Sequence, residues 1–410
     1  MTLGSQSRTA VVPIDGGITA PRGFRASGIS CGIKANGRHD LAILATDRPV
    51  PAAGIFTLNQ AKAAPVLVAQ EHLRSSGGRA QVIVTNSGCA NACTGTLGMA
   101  NAREMATLTA RHVGCAPAEV LVASTGVIGV HLKMDALREG IPAAHAALSR
   151  DGHEQAALAI MTTDPFPKAF AVEVTTDRGR FRVGGMAKGS GMIEPRMATM
   201  LGYLTTDALV EPRLLHRALT DSCRYTFNAI TVDGESSTND CVFALATGDS
   251  GVAIDEEHYS ALFEGLRAVA HELSLGIVRG GEGATKLIAM TVSGARSDDE
   301  AWTAARVIAN SPLVKTAMHG GDPNWGRLVA AAGRSGVQFS LEQAAVRIGP
   351  LTLFSKGQPH DELAPKAAEY LLGKELEIEV DIGGGGTGRA TIYTCDLSAE
   401  YVRINAEYRT

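Results

Sequence analysis

Thr199 sits between a glycine-dense loop, "KGSGMIEPRMA" (residues 188–198), and the apolar run "MLGYL" (residues 200–204). A β-branched threonine opens a strand well, so the position has a plain structural reading. It also has a chemical one. A threonine hydroxyl is a weak nucleophile until a base removes its proton. Were the Ala198–Thr199 bond cut, Thr199 would gain an α-amine with an ordinary pKa of about 7.7–8.0. That amine lies beside the Oγ of the same residue and can serve as its base near neutral pH. The same Oγ can make the cut by attacking the Ala198 carbonyl, through an ester that water then hydrolyses. A small residue at 198 and flanking glycines ease the backbone distortion this requires.

A second stretch, "VLVASTGVIG" (residues 120–129), reads as a strand running out into Ser-Thr-Gly. Gly126 lets the chain turn so that an N–H can point into a cavity, and Thr125 offers a hydroxyl. Two such donors can hold a developing oxyanion. The same residues also make an ordinary strand end with turn chemistry. Lys188 lies in "GGMAKGSG" and Glu282 in "RGGEGATK". A lone charge in a loop is commonly solvated, but a complementary pair can grip an amino acid. Neither segment is a phosphate or dinucleotide loop, because the glycine spacing is wrong. A fourth segment, "NSPLVKTAMHGGDPNWGR" (residues 310–327), concentrates polar and aromatic residues around turn signals. Such loops often belong to a site. His319 and Asp322 in it fit no common metal spacing.

The elements that must position these groups follow from periodicity. "AQVIVTNSG", "VLVASTG", "CVFALATGD" and "TKLIAMTVSG" read as strands, and "AFAVEVTT" and "RFRVGG" as a hairpin turning at Asp177–Gly179. "ANAREMATLTARHVG", "EPRLLHRALTDSC", "EEHYSALFEGLRAVAHELSLGIV" and "DDEAWTAARVIAN" read as helices. Their irregular alternation indicates a mixed α/β (α+β) class. The chain changes character near residue 295. We expect a catalytic domain over 1–285 and a smaller α/β domain over 286–410, with a hairpin turning at Gly383–Gly386.

Composition narrows the function classes. The 410 residues are 45% hydrophobic and 20% charged, with a net charge of −4. That is globular, with no electrostatic footprint for nucleic acid or an anionic membrane. No apolar run approaches the length of a membrane span, and the N-terminus lacks a signal-type apolar core, so a cytoplasmic protein is expected. The seven cysteines are scattered and odd in number, against a disulfide framework. Cys89 and Cys93 form one C-x3-C pair with no second pair to complete a metal site.

Together the ordered stretches resemble the ornithine acetyltransferase family, also called glutamate N-acetyltransferase, of arginine biosynthesis. The resemblance runs from "APRGFRASGISCGIKANGRHDLAIL" through "NSGCANACTG", "ASTGVIG", "AIMTTDPFPK" and "GGMAKGSGMIEPRMATMLGYLTTDA". It continues through "TFNAITVDGESSTND" and "NSPLVKTAMHGGDPNWGR" to "DLSAEYVRINAEYRT". It implies a layered αββα sandwich akin to N-terminal-nucleophile hydrolases. It implies self-cleavage between Ala198 and Thr199, with Thr199 as nucleophile and Thr125 and Gly126 as the oxyanion hole. Substrate binding would fall to Thr162, Thr163, Lys188, Thr199, Glu282, Asn405 and Thr410. No metal or organic cofactor is implied. Acetyl-CoA enters as a candidate second acetyl donor, and the cleaved chains would associate as α2β2. One departure stands out. The family reads Asp-Gly-Glu-Gly around the glutamate, whereas here Gly280-Gly281-Glu282-Gly283 follows Arg279. A negative charge is missing, and a positive one is expected to take its place. The alternative readings are a self-cleaving N-terminal-threonine amidase or aminopeptidase, with water as acceptor, and an uncleaved amino-acid-binding protein.

If Asn405 and Thr410 help form the site, deleting residues 405–410 abolishes activity. Thermal melting should show the truncated protein still folded, and full activity in it would remove both residues from the site.

Overall fold

The computed structural model describes residues 9–194 and 200–407. Of the expected site residues, Ala198, Thr199 and Thr410 lie outside this range.

The chain opens with β1 (Ala10–Ile14), β2 (Arg25–Ile29), β3 (Leu41–Phe56), α1 (Ala64–Ser75), β4 (Arg79–Cys89) and α2 (Gly95–Val113). It continues with β5 (Val120–Val127), α3 (Met134–Ala146), α4 (His153–Ala159), β6 (Lys168–Thr176) and β7 (Gly179–Lys188). Beyond the loop come β8 (Leu201–Thr206), β9 (Leu209–Val210), α5 (Pro212–Arg224), β10 (Cys241–Ala246), β11 (Ala253–Ile254) and α6 (Tyr259–Arg279). The β6–β7 hairpin turns where the sequence places it.

Strand β3 belongs to two sheets. Its first residues pair with β2 and β4, and its last five pair with β10. The β3–β4 register breaks between Ala45 and Val50. Pro49 lies in that break, where a residue without an N–H costs no ladder bond. One sheet therefore runs β1-β6-β7-β8-β10-β3 and the other β2-β3-β4-β5.

Three apolar clusters define the layers. Met186, Tyr203 and Phe243 of the first sheet meet Leu44, Ile83 and Leu121 of the second. On the outer face of the first sheet, Val172, Val174 and Val183 pack with Leu266, Val269 and Leu273 of α6. On the outer face of the second, Ile43, Val84 and Val122 pack with Val68, Met105 and Leu137 of α1, α2 and α3. The order is helix, sheet, sheet, helix, as the resemblance implies. Strand β5 shows why its first four residues are all apolar: Leu121 and Ala123 enter the inter-sheet core, and Val120 and Val122 enter the helix layer. Each such valine or leucine, fully buried, contributes about 1.5–3 kcal/mol.

A second sheet system follows. It contains β12 (Leu287–Ala295), β13 (Ala345–Ile348), β14 (Leu351–Ser355), β15 (Gln358–Pro359), β16 (Glu375–Asp381) and β17 (Gly388–Cys395). With them come α7 (Asp298–Ala309), α8 (Pro312–Gly320), α9 (Trp325–Gly333), α10 (Ala364–Tyr370) and α11 (Ala399–Glu407). The strand order is β15-β14-β13-β16-β12-β17, over a separate apolar cluster. Helix α7 starts as its aspartates predict, with the Ser297 hydroxyl accepting from the Glu300 N–H.

Two expectations are corrected. Strands β16 and β17 do not form a hairpin, because β12 lies between them and pairs with both. The glycines at 383–386 instead carry the chain across the end of β12. A Cβ at Gly386 would stand 2.2 Å from the Ala295 carbonyl oxygen, and one at Gly384 would stand 2.8 Å from that of Gly294. Residues 310–327 are also not a site loop. They form α8 and the start of α9; His319 binds Asp396, and Trp325 stacks on Phe354 at 4.8 Å.

The crossing predicts a contrast between adjacent glycines. Gly385 has φ +76° and open space around it, so Gly385→Ala should cost about 1–2 kcal/mol. Gly386→Ala drives a methyl into backbone and should cost about 3 kcal/mol or more. Denaturant midpoints decide it, and equal losses would refute the close crossing.

Candidate functional site

The expected residues that fall within the described range converge. Thr125, Gly126, Thr162, Thr163, Lys188, Glu282 and Asn405 all line one cavity of about 130 Å³.

The oxyanion-hole candidates arise from a β-bulge. Cys89 of β4 pairs with both Thr125 and Val127, and the register slips there. Bulges re-aim a strand end, and this one lies beside the cavity. Gly126 has φ +127°, and a Cβ on it would lie 2.4 Å from the Gly88 carbonyl carbon. No other residue fits. The Lys188 ammonium, at the end of β7, donates to the Thr125 Oγ1 at 3.2 Å. An ammonium only donates, so the Thr125 oxygen is the acceptor and its own proton stays free for another partner.

The loop before β6 is held by Asp164. Its carboxylate accepts from the Lys168 ammonium at 2.6 Å, the Gly189 N–H at 2.7 Å and the Thr162 N–H at 3.0 Å. Burial alone would raise its pKa, but the charges of Lys168 and Lys188 and the Gly189 N–H overcome that and hold it at about 2. Thr163 and Ser190 share a hydroxyl hydrogen bond of 2.6 Å.

Glu282 is 7% exposed and fixed at both ends. Its N–H donates to the Ser190 carbonyl at 2.8 Å, and its Oε2 accepts from the Asn405 amide of α11 at 2.9 Å. A Cβ on Gly191 would lie 2.4 Å from the Glu282 carboxylate, so glycine makes room for it. The expected replacement charge is corrected: the Arg279 guanidinium binds Glu375 at 2.9 Å instead.

Both flanks of residues 195–199 reach this cavity. Ile193 and Met200 line it. The Met192 and Ile193 N–H groups donate to Asp233 at 2.7 and 2.8 Å, and Asp233 also accepts from the Tyr401 hydroxyl at 3.3 Å. Burial and Asp233 together push the Tyr401 phenol up. On the other side, the Met200 carbonyl accepts from the Cys241 N–H at 3.1 Å.

A model of the ArgJ family matches residues 25–410. The "Arginine biosynthesis bifunctional protein ArgJ" of Synechococcus sp. is 49% identical over 409 residues, covering 97% of this chain and 98% of that one. The protein of the same name from Symbiobacterium thermophilum is 48% identical over 402 residues, covering 96% and 99%. The chain belongs to the ArgJ family. A crystal structure of "Arginine biosynthesis bifunctional protein argJ" from Bacillus halodurans matches 51% of this chain and 100% of its own, at 40% identity and a TM-score of 0.50.

Sequence reading of this ArgJ chain missed several lining residues: Asp233, Asn239, Asp240 and Tyr401. The run "DGESSTND" (residues 233–240) carried the signal, as a polar cluster between two strand-like runs. Asn239 ties the walls together, donating to the Ala90 and Ser124 carbonyls at 2.6 and 2.8 Å.

The Asp164–Lys168 pair gives a stability prediction. Removing one partner of a buried pair typically costs about 3–5 kcal/mol, so Lys168→Met should lose that much at neutral pH. A carboxylate held at about 2 stabilises the fold above the ordinary value near 3.9 and loses that contribution as pH falls through about 2. Lys168 is itself lowered by burial, so below about pH 2, where Asp164 is neutral and the Lys168 ammonium has lost its anion, the advantage of wild type over Lys168→Met should vanish or reverse. Denaturant melts across pH test this, and a gap unchanged at low pH would refute it.

Proposed function

We propose that this chain moves the acetyl group of N2-acetyl-L-ornithine to L-glutamate, in the acetyl cycle of arginine biosynthesis. The observation that carries the reading is convergence. The expected oxyanion-hole pair, those of the expected binding residues that are described, and the two ends flanking residues 195–199 meet at one small cavity. ArgJ membership supplies the pathway.

The mechanism follows from the groups present. Cleavage at Ala198–Thr199 would free the Thr199 amine. That amine takes the Oγ proton as Oγ attacks the acetyl carbonyl. Negative charge moves to the carbonyl oxygen, where Thr125 and Gly126 donate to it. Lys188 stands against Thr125 and adds positive charge on that side. The intermediate collapses, the carbon–nitrogen bond breaks, and the proton passes to ornithine as it leaves. Acetyl-Thr199 remains. The glutamate amine then attacks the ester carbonyl and loses its proton to the Thr199 amine; the carbon–Oγ bond breaks, that proton returns to Oγ, and N-acetylglutamate leaves. Glu282, held by Asn405, suits a substrate ammonium. Acetyl-CoA could load the same threonine.

An intact-mass spectrum under denaturing conditions tests this. Wild type should show one fragment ending at Ala198 and one beginning at Thr199, and Thr199→Ala one uncut chain. Acetylornithine should add one acetyl mass to the C-terminal fragment. An uncut wild type that still transfers acetyl would place the nucleophile elsewhere. Acetyl release equally fast without glutamate would favour the amidase reading.

A further inference from the structure

The two substrates of the proposed reaction make opposite demands on one cavity. Acetylornithine carries a cation at the end of its side chain, and glutamate carries an anion there. Both must bring the α-nitrogen to the same acyl centre. That centre lies deep, since Thr125 and Lys188 are 8% and 9% exposed. A substrate side chain held from that end extends toward the opening.

Glu235 lines the cavity and is exposed, which places it at that opening. Its backbone is held on both sides. Its N–H donates to the Asp233 Oδ1 at 3.3 Å, and the next two carbonyls, of Ser236 and Ser237, accept from the Asn59 and Thr57 side chains at 2.9 Å each. Its carboxylate has no hydrogen-bond or ion-pair partner among the described residues. The neighbouring acids are engaged: Asp233 holds the Met192 and Ile193 N–H groups, and Glu282 holds Asn405. All three acids bear on one phenol, for the charges of Asp233, Glu282 and Glu235 join burial in pushing Tyr401 up. Lys188 is the one basic side chain among the described residues of the lining, and it is drawn to Thr125. The cavity is thus positive beside the acyl centre and negative around Tyr401 and Glu235.

We propose that the Glu235 carboxylate reads the side-chain ammonium of the acetyl donor and turns aside when the anionic acceptor enters, so that one cavity serves both. The proposal rests on the acetyl-transfer reading and names a specificity residue for its first half. The ligand class is an N2-acyl diamino acid with a cationic side chain. Glu282, deeper and tied to Asn405, is left for the α-nitrogen that both substrates carry. An exposed, unpartnered carboxylate suits the alternation. Water solvates it once the donor has gone, so releasing it costs little, whereas a buried one would repel the glutamate side chain with little screening.

Steady-state transfer by Glu235→Gln tests this, with N2-acetylnorvaline, which keeps the carbon chain and lacks the ammonium, as a second donor. The substitution removes no side-chain bond of the folded protein, and thermal melting checks that. In a ping-pong scheme kcat/KM for each substrate reports its own half-reaction. The variant should lose about fivefold in kcat/KM for acetylornithine, the upper scale of an exposed ion pair. Its kcat/KM for glutamate should be unchanged or higher, and acetylnorvaline should not distinguish it from wild type. Added salt should erode the wild-type preference for acetylornithine over acetylnorvaline and leave that of the variant unchanged. Equal losses for donor and acceptor, or for both donors, would overturn the proposal in favour of a structural role. So would an unchanged kcat/KM for acetylornithine. If wild type transfers no acetyl group, the transfer reading fails, and calorimetric titration with ornithine and norvaline decides the role of Glu235. Weaker ornithine binding in the variant, with norvaline unaffected, would sustain it. Equal ornithine binding by both proteins, or none by wild type, would overturn it.

Discussion

A carboxylate taken out of water must be paired, and the site is arranged around how Asp164 meets that demand. Desolvating an ion costs several kcal/mol unless donors replace the water. Asp164 draws its donors from three places: its own loop at Thr162, the start of β6 at Lys168, and the backbone at Gly189 just past β7. Those contacts fix the threonine pair and the end of β7 relative to each other. Lys188 then points at Thr125 because its neighbour is clamped. Ser190, one residue further, shares a hydroxyl hydrogen bond with Thr163, and its carbonyl accepts the Glu282 N–H. One buried charge thus sets the spacing between the oxyanion side and the substrate side.

A second buried carboxylate does the corresponding work for the C-terminal sheet. Asp396 follows β17 and accepts from the Thr285 and Lys286 N–H groups and the Thr285 hydroxyl. Burial would raise its pKa, but the Thr285 and His319 bonds outweigh it and hold it low. The clamp brings the start of α11 against the loop that bears Glu282. A Cβ on Gly283 would lie 2.4 Å from the Tyr401 nitrogen, so the two backbones are nearly in contact. The second sheet earns its place at the site by presenting Tyr401 and Asn405 from that helix.

Much of this was readable from residue order. Strands β4, β5 and β10 were visible as apolar runs, because strands buried on both faces leave little else to read, whereas β3, broken by Asp47, Arg48, Pro49 and Pro51, was not read as a strand. Thr125, Gly126, Lys188 and Glu282 were visible because each breaks the local pattern with a polar group or a turn. The crossing at Gly383–Gly386 was not. A glycine cluster between two strands has the same pattern whether it turns a hairpin or passes over a third strand. Helix α8 was obscured by Pro312 and the glycines at its end, which mimic a loop, although proline in a first turn and glycine after a last one also bound helices. Asp233 and Asp240 were hidden in a run of turn formers, where solvated loop residues and cavity-lining carboxylates look alike.

The strand order of the first sheet has a consequence for a cut chain. β8 and β10, from after Thr199, lie between β7 and β3, from before it. Severing the Ala198–Thr199 bond would leave two polypeptides interleaved within one hydrogen-bonded sheet. Neither could leave without tearing central ladders on both sides and opening two apolar clusters. Their separation would be governed by the rate of unfolding rather than by an association constant. Maturation would then be a ratchet: folding as one molecule builds the weave, and after the cut no route back through independent halves remains.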